Sequence, residues 1–401
     1  MTLTETNPSA IDDAEQRVID LTDELLEQFP PASTPEQQFL EAQYDKGLAW
    51  VHFPEGSGGI GVSPKLQKTV IERVGRAGGP IGGTKNPIGY GMCAPAVVTH
   101  GTDEQKLLLR ALFSNENIWC QMFSEPGAGS DVASLAMKAE RDGDEWIVNG
   151  QKVWTTLAHI SSYGLVIART DPDLPKHKGI SAFIVDMHAP GLEVRPLRQM
   201  TGEAEFNEVY LTDVRIPDSM RLDDVGRGWA VSITTLMNER VSIGGGTPPK
   251  GSGPIKQLIE TWDAVEHKDP VQRDLVTRLW VQAEVNRLTN IRAAQLRTMG
   301  TPGPEGSVAK LAMAELNKAI YSLALDLMGP QGMLYDSYEF VRPRHALFSD
   351  DMYKNFLRAR ANSIEGGTSE VLRNIIGERV LGLPGDVRVD KVAAWKDVPR
   401  S

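Results

Sequence analysis

Cysteine is nearly absent: two residues, Cys93 and Cys120, in a chain of 401. They cannot build a disulfide framework, and neither lies in a CxxC pair or a Cys/His cluster, so a reducing compartment is expected and a zinc site is not. Long apolar runs are missing too. No stretch approaches the length of a membrane span, and the opening MTLTETNPSAIDDAEQ has no positive segment followed by an apolar one. These absences lead us to expect a cytoplasmic protein with no membrane association. Basic residues are outnumbered, 42 Lys and Arg against 53 Asp and Glu, for a formal net charge of -11. Without a basic excess, binding to a nucleic-acid backbone is not expected, and any anionic ligand must be met by a local site. No Gly-x-Gly-x-x-Gly follows a strand-like segment, so a nicotinamide-binding fold is not indicated.

What is present is the composition of a globular chain, 41% hydrophobic and 24% charged, long enough for two or three packed domains. From Ile11 to about Trp119 apolar residues recur at helical spacing, as at Ile19, Leu21, Leu25 and Leu26, with breaks at Pro30-Pro31 and in PEGSGGIG. Between about Cys120 and Pro217 the period changes. EWIVNGQKVWTT reads as an Asn149-Gly150 turn between β-rich flanks, and GLVIART, ISAFIVDM, LEVRPL and FNEVYLTDVRIP read as short strands. Helical patterning returns from Trp229 to about Ile243, then over 271–299, 305–328, 350–361 and from Ser369 to about Leu381. The expected fold is α+β: an N-terminal helical domain (1–119), a small β-barrel or sandwich domain (120–225) and a C-terminal helical bundle (226–401). GGGTPPKGSGP, Gly244 to Pro254, is a long loop; an exposed connection and a pocket mouth both fit it.

Three segments carry chemical potential. WCQMFSEPGAGSD (Trp119 to Asp131) packs small residues, hydroxyls and backbone donors into a short loop that could approach a large cofactor, or be an ordinary turn. NGQKVWTT sets Trp154 beside two threonines: a flat face for a ring system and a hydroxyl for a ring nitrogen, or simply core. In SIEGGTSEVLRNIIGERVLGLP, Gly366-Gly367 leads into a helix that Thr368 or Ser369 can cap, and free amides at a helix start suit an anionic or carbonyl oxygen.

Taken together and in this order, with GLAWVHFPEGSGGIG, HGTDEQK, FNEVYLTDVRIPD and GRGW elsewhere, these segments make the chain resemble the acyl-CoA dehydrogenase family over nearly its whole length. The resemblance implies FAD at the junction of the β domain and the C-terminal helices, and α,β-dehydrogenation of an acyl-CoA thioester to the trans-2-enoyl-CoA. It implies that Ser124 and the backbone of Met122 and Phe123 line the isoalloxazine. Ser130 would reach the pyrophosphate and, with Arg240, the substrate; Trp154 and Thr156 would cover the other face of the ring, and Thr368 and Glu370 would touch the cofactor. An electron-transferring flavoprotein is the implied redox partner. An acyl-CoA oxidase is the alternative enzyme, although oxidases of this kind commonly carry an additional C-terminal domain.

The reaction needs a carboxylate opposite the ring to take the α proton. Many family members carry a glutamate directly before the Gly-Thr pair of the last turn, where this chain has Gly366, with Glu365 one residue earlier. Isovaleryl and long-chain members place it on the central helix before an arginine, matching Glu239-Arg240. Helical spacing puts Ser232, Thr235 and Glu239 on one stripe and Trp229, Ile233, Leu236 and Met237 mainly on another, which taken alone makes Glu239 a solvated or salt-bridged residue. The resemblance implies that it is the base, with the Gly366 amide holding the thioester oxygen. Two departures concern cofactor sharing between subunits: the family's R-x-x-F-G segment after Arg240 is missing, and a glutamine before a Gly-Gly pair is replaced by Asp326 before Gly329-Pro330. They leave open a homotetramer with an altered adenine-end site, or a mixed tetramer with a related subunit, including one in which this chain serves as partner subunit.

Overall fold

The N-terminal helices bury the apolar faces that their periodicity marks. In the computed structural model, which describes residues 8–244, 248–297, 305–344, 351–385, 387 and 390–398, α1 (Pro8–Gln28) lays Val18 and Leu25 against Val70 and Val74 of α3 (Gln67–Arg76). Phe39 of α2 (Glu36–Asp45) joins the same core. α4 (Ala94–His100), α5 (Asp103–Lys106) and α6 (Leu108–Phe113) complete the region, with Thr102 and Gln105 forming a reciprocal cap on α5.

The strands are β1 (Trp119–Met122), β2 (Lys138–Asp142), β3 (Glu145–Thr156), β4 (Tyr163–Arg169), β5 (Ile180–Asp186), β6 (Leu192–Pro196), β7 (Phe206–Pro217) and β8 (Arg221–Leu222). They form an open eight-stranded sheet in the order β6-β7-β3-β2-β4-β5-β8, with β1 pairing in parallel on β4. Only Lys138 and Arg169 pair β2 with β4, and across that weak seam the sheet folds over on itself. Val166, Ala168, Phe183 and Val185 from one half meet Trp146, Val148, Val209 and Leu211 from the other. The alternate residues Leu165, Ile167, Ala182 and Ile184 face the helices instead, against Val97, Leu112 and Val231. β4 and β5 are thus buried on both faces, which is why they read as unbroken apolar runs.

The Asn149-Gly150 turn expected from the sequence is not there. β3 runs straight through the pair; the chain reverses at Gly143, between β2 and β3, with φ of +61°. Asn149 instead donates to Asp213 Oδ1 (3.0 Å) and accepts from the Asp213 N–H (2.8 Å) at a bulge against β7. Gly150 is required by close approach: a Cβ there would lie 2.9 Å from Met137 Cα.

The helices that follow are α7 (Gly228–Gly244), α8 (Pro254–Ala264), α9 (Pro270–Arg297), α10 (Glu305–Leu327), α11 (Met352–Arg358) and α12 (Ser369–Arg379). α11 is shorter than the expected 350–361 and gives way to a 3₁₀ turn at Ala361–Ser363; residue 350, like 298–299 at the end of the α9 segment, lies outside the described residues. α10 is central, its Ile320, Tyr321 and Ala324 packing on Leu258 of α8 and Val276 of α9. In the loop before α8, Pro248, Pro249, Gly251 and Ser252 line a small pocket with Trp280, Glu284 and Arg287, apart from every residue assigned to the flavin; residues 245–247 lie outside the described residues.

Two later segments fasten this half to the β domain. Val341 and Gly202 bond across the seam, and the Tyr335 hydroxyl donates to the Thr201 carbonyl (2.9 Å). Farther on, Trp395 donates from its backbone to Leu174 (2.9 Å) and from its indole to the Ser134 carbonyl (3.2 Å), with the Arg169 guanidinium 4.6 Å above its ring. Among the described residues no helix is long and apolar enough to cross a membrane.

Candidate active site

Strand alternation sorts the first segment. Cys120 and Met122 point into the β-domain core, while Trp119 and Phe123 point with Gln121 toward the helices. The Met122 and Phe123 side chains are consumed by packing, so only their backbone can face a ligand. From the helix side comes Glu239: Gln121 Nε2 donates to Glu239 Oε2 at 3.3 Å, joining α7 to β1. This orientation departs in part from what periodicity alone predicts for α7: Trp229 and Leu236 pack on the core as expected, but the polar stripe is buried as well. Ser232 and Thr235 are fully buried, whereas Ile233 and Met237 are exposed. The polar stripe can turn inward because its hydroxyls are satisfied within the helix, Ser232 bonding the Gly228 carbonyl (2.8 Å) and Thr235 that of Val231 (3.0 Å). Glu239 follows them and lies partly buried at the end of the stripe. The Arg240 side chain lies outside the described residues.

The first two segments meet across β3. Val153 donates to the Ser124 carbonyl (2.9 Å), and Lys152, fully buried, donates to the Phe123 carbonyl (3.0 Å) and to Glu125 Oε1 (2.8 Å). Glu125 also accepts the backbone N–H groups of Ala136 (2.7 Å) and Met137 (2.9 Å), so one buried ion pair ties both ends of the SEPGAGSD loop to the sheet. Burial drives the Lys152 ammonium below its usual range, against the pull of Glu125. Just beyond, a bulge between Lys152 and Thr155 puts Trp154 in the left-handed region, φ +59°, with the residue 58% exposed. A non-glycine residue held there to present a large aromatic face outward is unusual.

Several features of this surface fit a flat, polar ligand. Trp154 offers an open ring. A Cβ built on Gly127 or Gly129 would meet only open space, so the loop beside the exposed Ser130 leaves room for a close neighbour. Gln121 Oε1 and Thr155 Oγ1 are buried without hydrogen-bond partners, two polar atoms beside the segments assigned to the ring. Ser124 and Thr156 are partly buried on the same two segments.

The third segment reaches this surface through two residues that the sequence did not single out. Phe206 stacks edge-on to Trp154 at 5.8 Å, and the Arg358 guanidinium lies 5.4 Å above the Phe206 ring. Arg358 then bonds Glu205 (3.0 Å) and Glu365 (2.8 Å). Burial pushes the Glu205 carboxyl above its usual range; Arg358 opposes this, and Glu365 and Glu203 add to it. Glu365 is further held by Asn362 (2.7 Å) and is therefore fastened at both oxygens. Gly366 and Gly367 follow with φ of +63° and +94°, the region that favours glycine, and no acceptor for the Gly366 N–H lies among the described residues. Thr368 caps α12, accepting from Val371 N (3.2 Å); Glu370 is exposed and pairs with Arg373 (3.2 Å). Asp326 is exposed on the last turn of α10.

No pattern marked Lys152 or Arg358: each is one charged residue among many, and its partner lies far away, 27 residues for Lys152–Glu125 and 153 for Arg358–Glu205. For Gln121 a signal existed, a polar residue in an apolar strand on the helix-facing side.

Models of the acyl-CoA dehydrogenase N-terminal, middle and C-terminal domains match residues 13–116, 120–214 and 226–381. Among curated relatives, acyl-CoA dehydrogenase FadE34 of Mycobacterium tuberculosis is 38% identical over 88% of this chain, which spans 47% of that protein's length. Acyl-CoA dehydrogenase IpdE1 of the same organism is 36% identical over 85% of this chain and 86% of its own. Among solved structures, the Tcur3481-Tcur3483 steroid ACAD superposes with a TM-score of 0.71 at 25% identity, over 96% of this chain and 100% of that one. The ChsE4-ChsE5 complex from Mycobacterium tuberculosis does so at 0.68 and 28%, with the same coverage.

Proposed function

We propose that this chain, which belongs to the acyl-CoA dehydrogenase family, removes hydrogen from the α and β carbons of an acyl-CoA thioester with Glu239 as the base. The observation that carries the assignment is the Gln121–Glu239 contact of 3.3 Å, which sets this carboxylate against the strand leading into the cofactor loop. Glu365 is occupied by Arg358 and Asn362 instead.

FAD, the family's cofactor, supplies the hydride acceptor. The residues that would hold it are Trp154, offering an aromatic face, the Ser124 and Thr156 hydroxyls, and Ser130 with the open side of Gly127 and Gly129 for its pyrophosphate; Thr368 and Glu370 would be contacts farther along. Gly366 N–H holds the thioester carbonyl oxygen as negative charge builds there, which acidifies the α carbon. Glu239 takes the α proton as the β C–H bond breaks, leaving the trans-2-enoyl thioester. Arg240 is a proposed substrate contact. A glycine rather than a glutamate at 366 removes a side chain beside the acyl group, and with the steroid ACAD likeness this favours a bulky acyl chain. An electron-transferring flavoprotein is the proposed redox partner.

Assembly into a tetramer, in particular a mixed one, is supported by Asp326 and the missing arginine segment, by an apolar stripe on α9, and by the likeness to the ChsE4-ChsE5 complex. Anaerobic mixing with a panel of acyl-CoA thioesters tests the chemistry, the flavin spectrum reporting both FAD content and reduction. Glu239→Gln is expected to keep its flavin and lose bleaching by a factor of about 10²–10⁴. Loss in Glu365→Gln alone would move the base to Glu365, and full activity of both in the assembled protein would make this chain a non-catalytic partner.

A further inference from the structure

α10 buries a lysine where its pattern calls for a small or apolar residue. Lys310 is fully buried, on the same stripe as Ser307, Ala314, Asn317 and Tyr321, all buried as well. Its ammonium donates to the Gly367 carbonyl at 2.6 Å. Burying a charge is costly, and a packed apolar side chain would stabilise the helix better. The same helix holds the turn at two more points. Glu315 accepts from the Ser369 hydroxyl (2.9 Å), and Asn317 donates to Asn362 (3.3 Å), which in turn holds Glu365. The segment from Asn362 to Ser369 therefore rests on a three-point cradle, with Lys310 bonded to the residue next to Gly366. Among the described residues, the carboxylates around the turn are ion-paired: Glu365 and Glu205 with Arg358, Glu315 with Lys318 and Arg373, and Glu370 with Arg373.

We propose that Lys310 is a positioning residue for the thioester oxygen: through its bond to the Gly367 carbonyl it pins the Gly366-Gly367 backbone so that the Gly366 N–H stays presented to that oxygen as the enolate forms. This rests on the role given to Gly366 above. The substrate enters and leaves as before; no atom of Lys310 exchanges with it.

The test uses the assembled holoenzyme and acetoacetyl-CoA, which ionises at its α carbon and has no saturated β carbon to lose hydride from. The long-wavelength band between its bound enolate and FAD reports the ionised fraction at a fixed pH. Lys310→Met is expected to retain FAD and bind the ligand while the band falls roughly tenfold, short of the hundredfold that removal of a direct donor causes. In turnover, kcat falls and KM does not. Lys310→Gln, which keeps a donor without the charge, is read in the same way and stands in if the Met variant does not fold. A band that persists in a folded variant, with only thermal stability reduced, overturns the proposal and leaves Lys310 structural. A wild-type complex that binds acetoacetyl-CoA without any band overturns the Gly366 role itself, and this inference with it.

Discussion

The β domain and the helices after it dispose of their apolar surface in opposite ways. Between residues 119 and 222 the large apolar side chains left exposed are Trp154, Leu174 and Met200, because β4 and β5 are covered on one face by the folded-over sheet and on the other by helices. α9 alone exposes Val271, Leu275, Val281, Val285 and Leu288, and Met333, Leu334, Tyr338 and Phe340 follow. The first region completes its own core; the second carries more apolar surface than the chain covers, at helical spacing on a helix whose other side already packs on α8 and α10. Trp154 is then the informative exception: a ring left open in a domain that hides nearly everything else is the face on which the proposed flavin contact rests, whereas the α9 stripe is the surface that the proposed assembly would cover.

The most damaging way to break the self-contained side is to remove one member of its buried ion pair. Lys152→Met leaves the Glu125 carboxylate in the core without its ammonium, and is expected to cost about 3–5 kcal/mol of stability. Because Lys152 also holds the Phe123 carbonyl, FAD should be lost before global unfolding. Urea titrations followed in parallel by flavin fluorescence and far-UV circular dichroism check this. Coincident transitions at the wild-type midpoint would mean that the pair is dispensable.

Charges on α9 should do the reverse. Val285→Glu with Leu288→Glu alters side chains that the chain leaves 57% and 51% exposed, so the stability of the isolated subunit should change little. Association should weaken by about 2 kcal/mol for each side chain that a partner would have buried. Sedimentation velocity across a concentration series separates the cases: an unchanged distribution removes α9 from any interface and leaves its exposed stripe without an explanation.

The same contrast shows what the sequence could reveal. Runs buried on both faces, such as GLVIA and ISAFIV, and long periodic helices such as α10 were legible because burial leaves a direct imprint on composition. Asn149-Gly150 misled because the pair is a turn signal only when nothing else engages it; here Asp213 bonds the Asn and Met137 crowds the Gly. α7 misled because back-bonded hydroxyls bury as easily as small apolar groups, so polar spacing pointed Glu239 toward water while tertiary packing turned it inward. Lys152, Lys310 and Arg358 were illegible for a third reason: a buried charge differs from a solvated one only by its partners, and those are fixed by the fold. The family resemblance nominated Ser124, Trp154 and Glu239, which remain proposed site residues, but not the contacts of the segments that carry them.

The smallest effect sharpens the comparison at the exit of the β domain. Asp218 accepts from Arg221 (2.8 Å) and from the Trp146 indole (2.7 Å), and these bonds, Arg221 first, hold its carboxyl at about 2, below the usual 3.8. A depressed carboxylate stabilises the fold above its unfolded pKa, and that contribution disappears as the pH falls through the folded value. Asp218→Asn should therefore be less stable than wild type at neutral pH by about 1 kcal/mol, discounted for the water that reaches a carboxylate 25% exposed. The difference should narrow from about pH 5 downward, be roughly halved near pH 3 and vanish near 2. Urea midpoints of the two proteins at pH 7, about 4 and about 3 measure it. A gap that stays constant down to pH 3 would show that the contact is steric rather than ionic, and that Trp146 is held by packing against Phe183 alone.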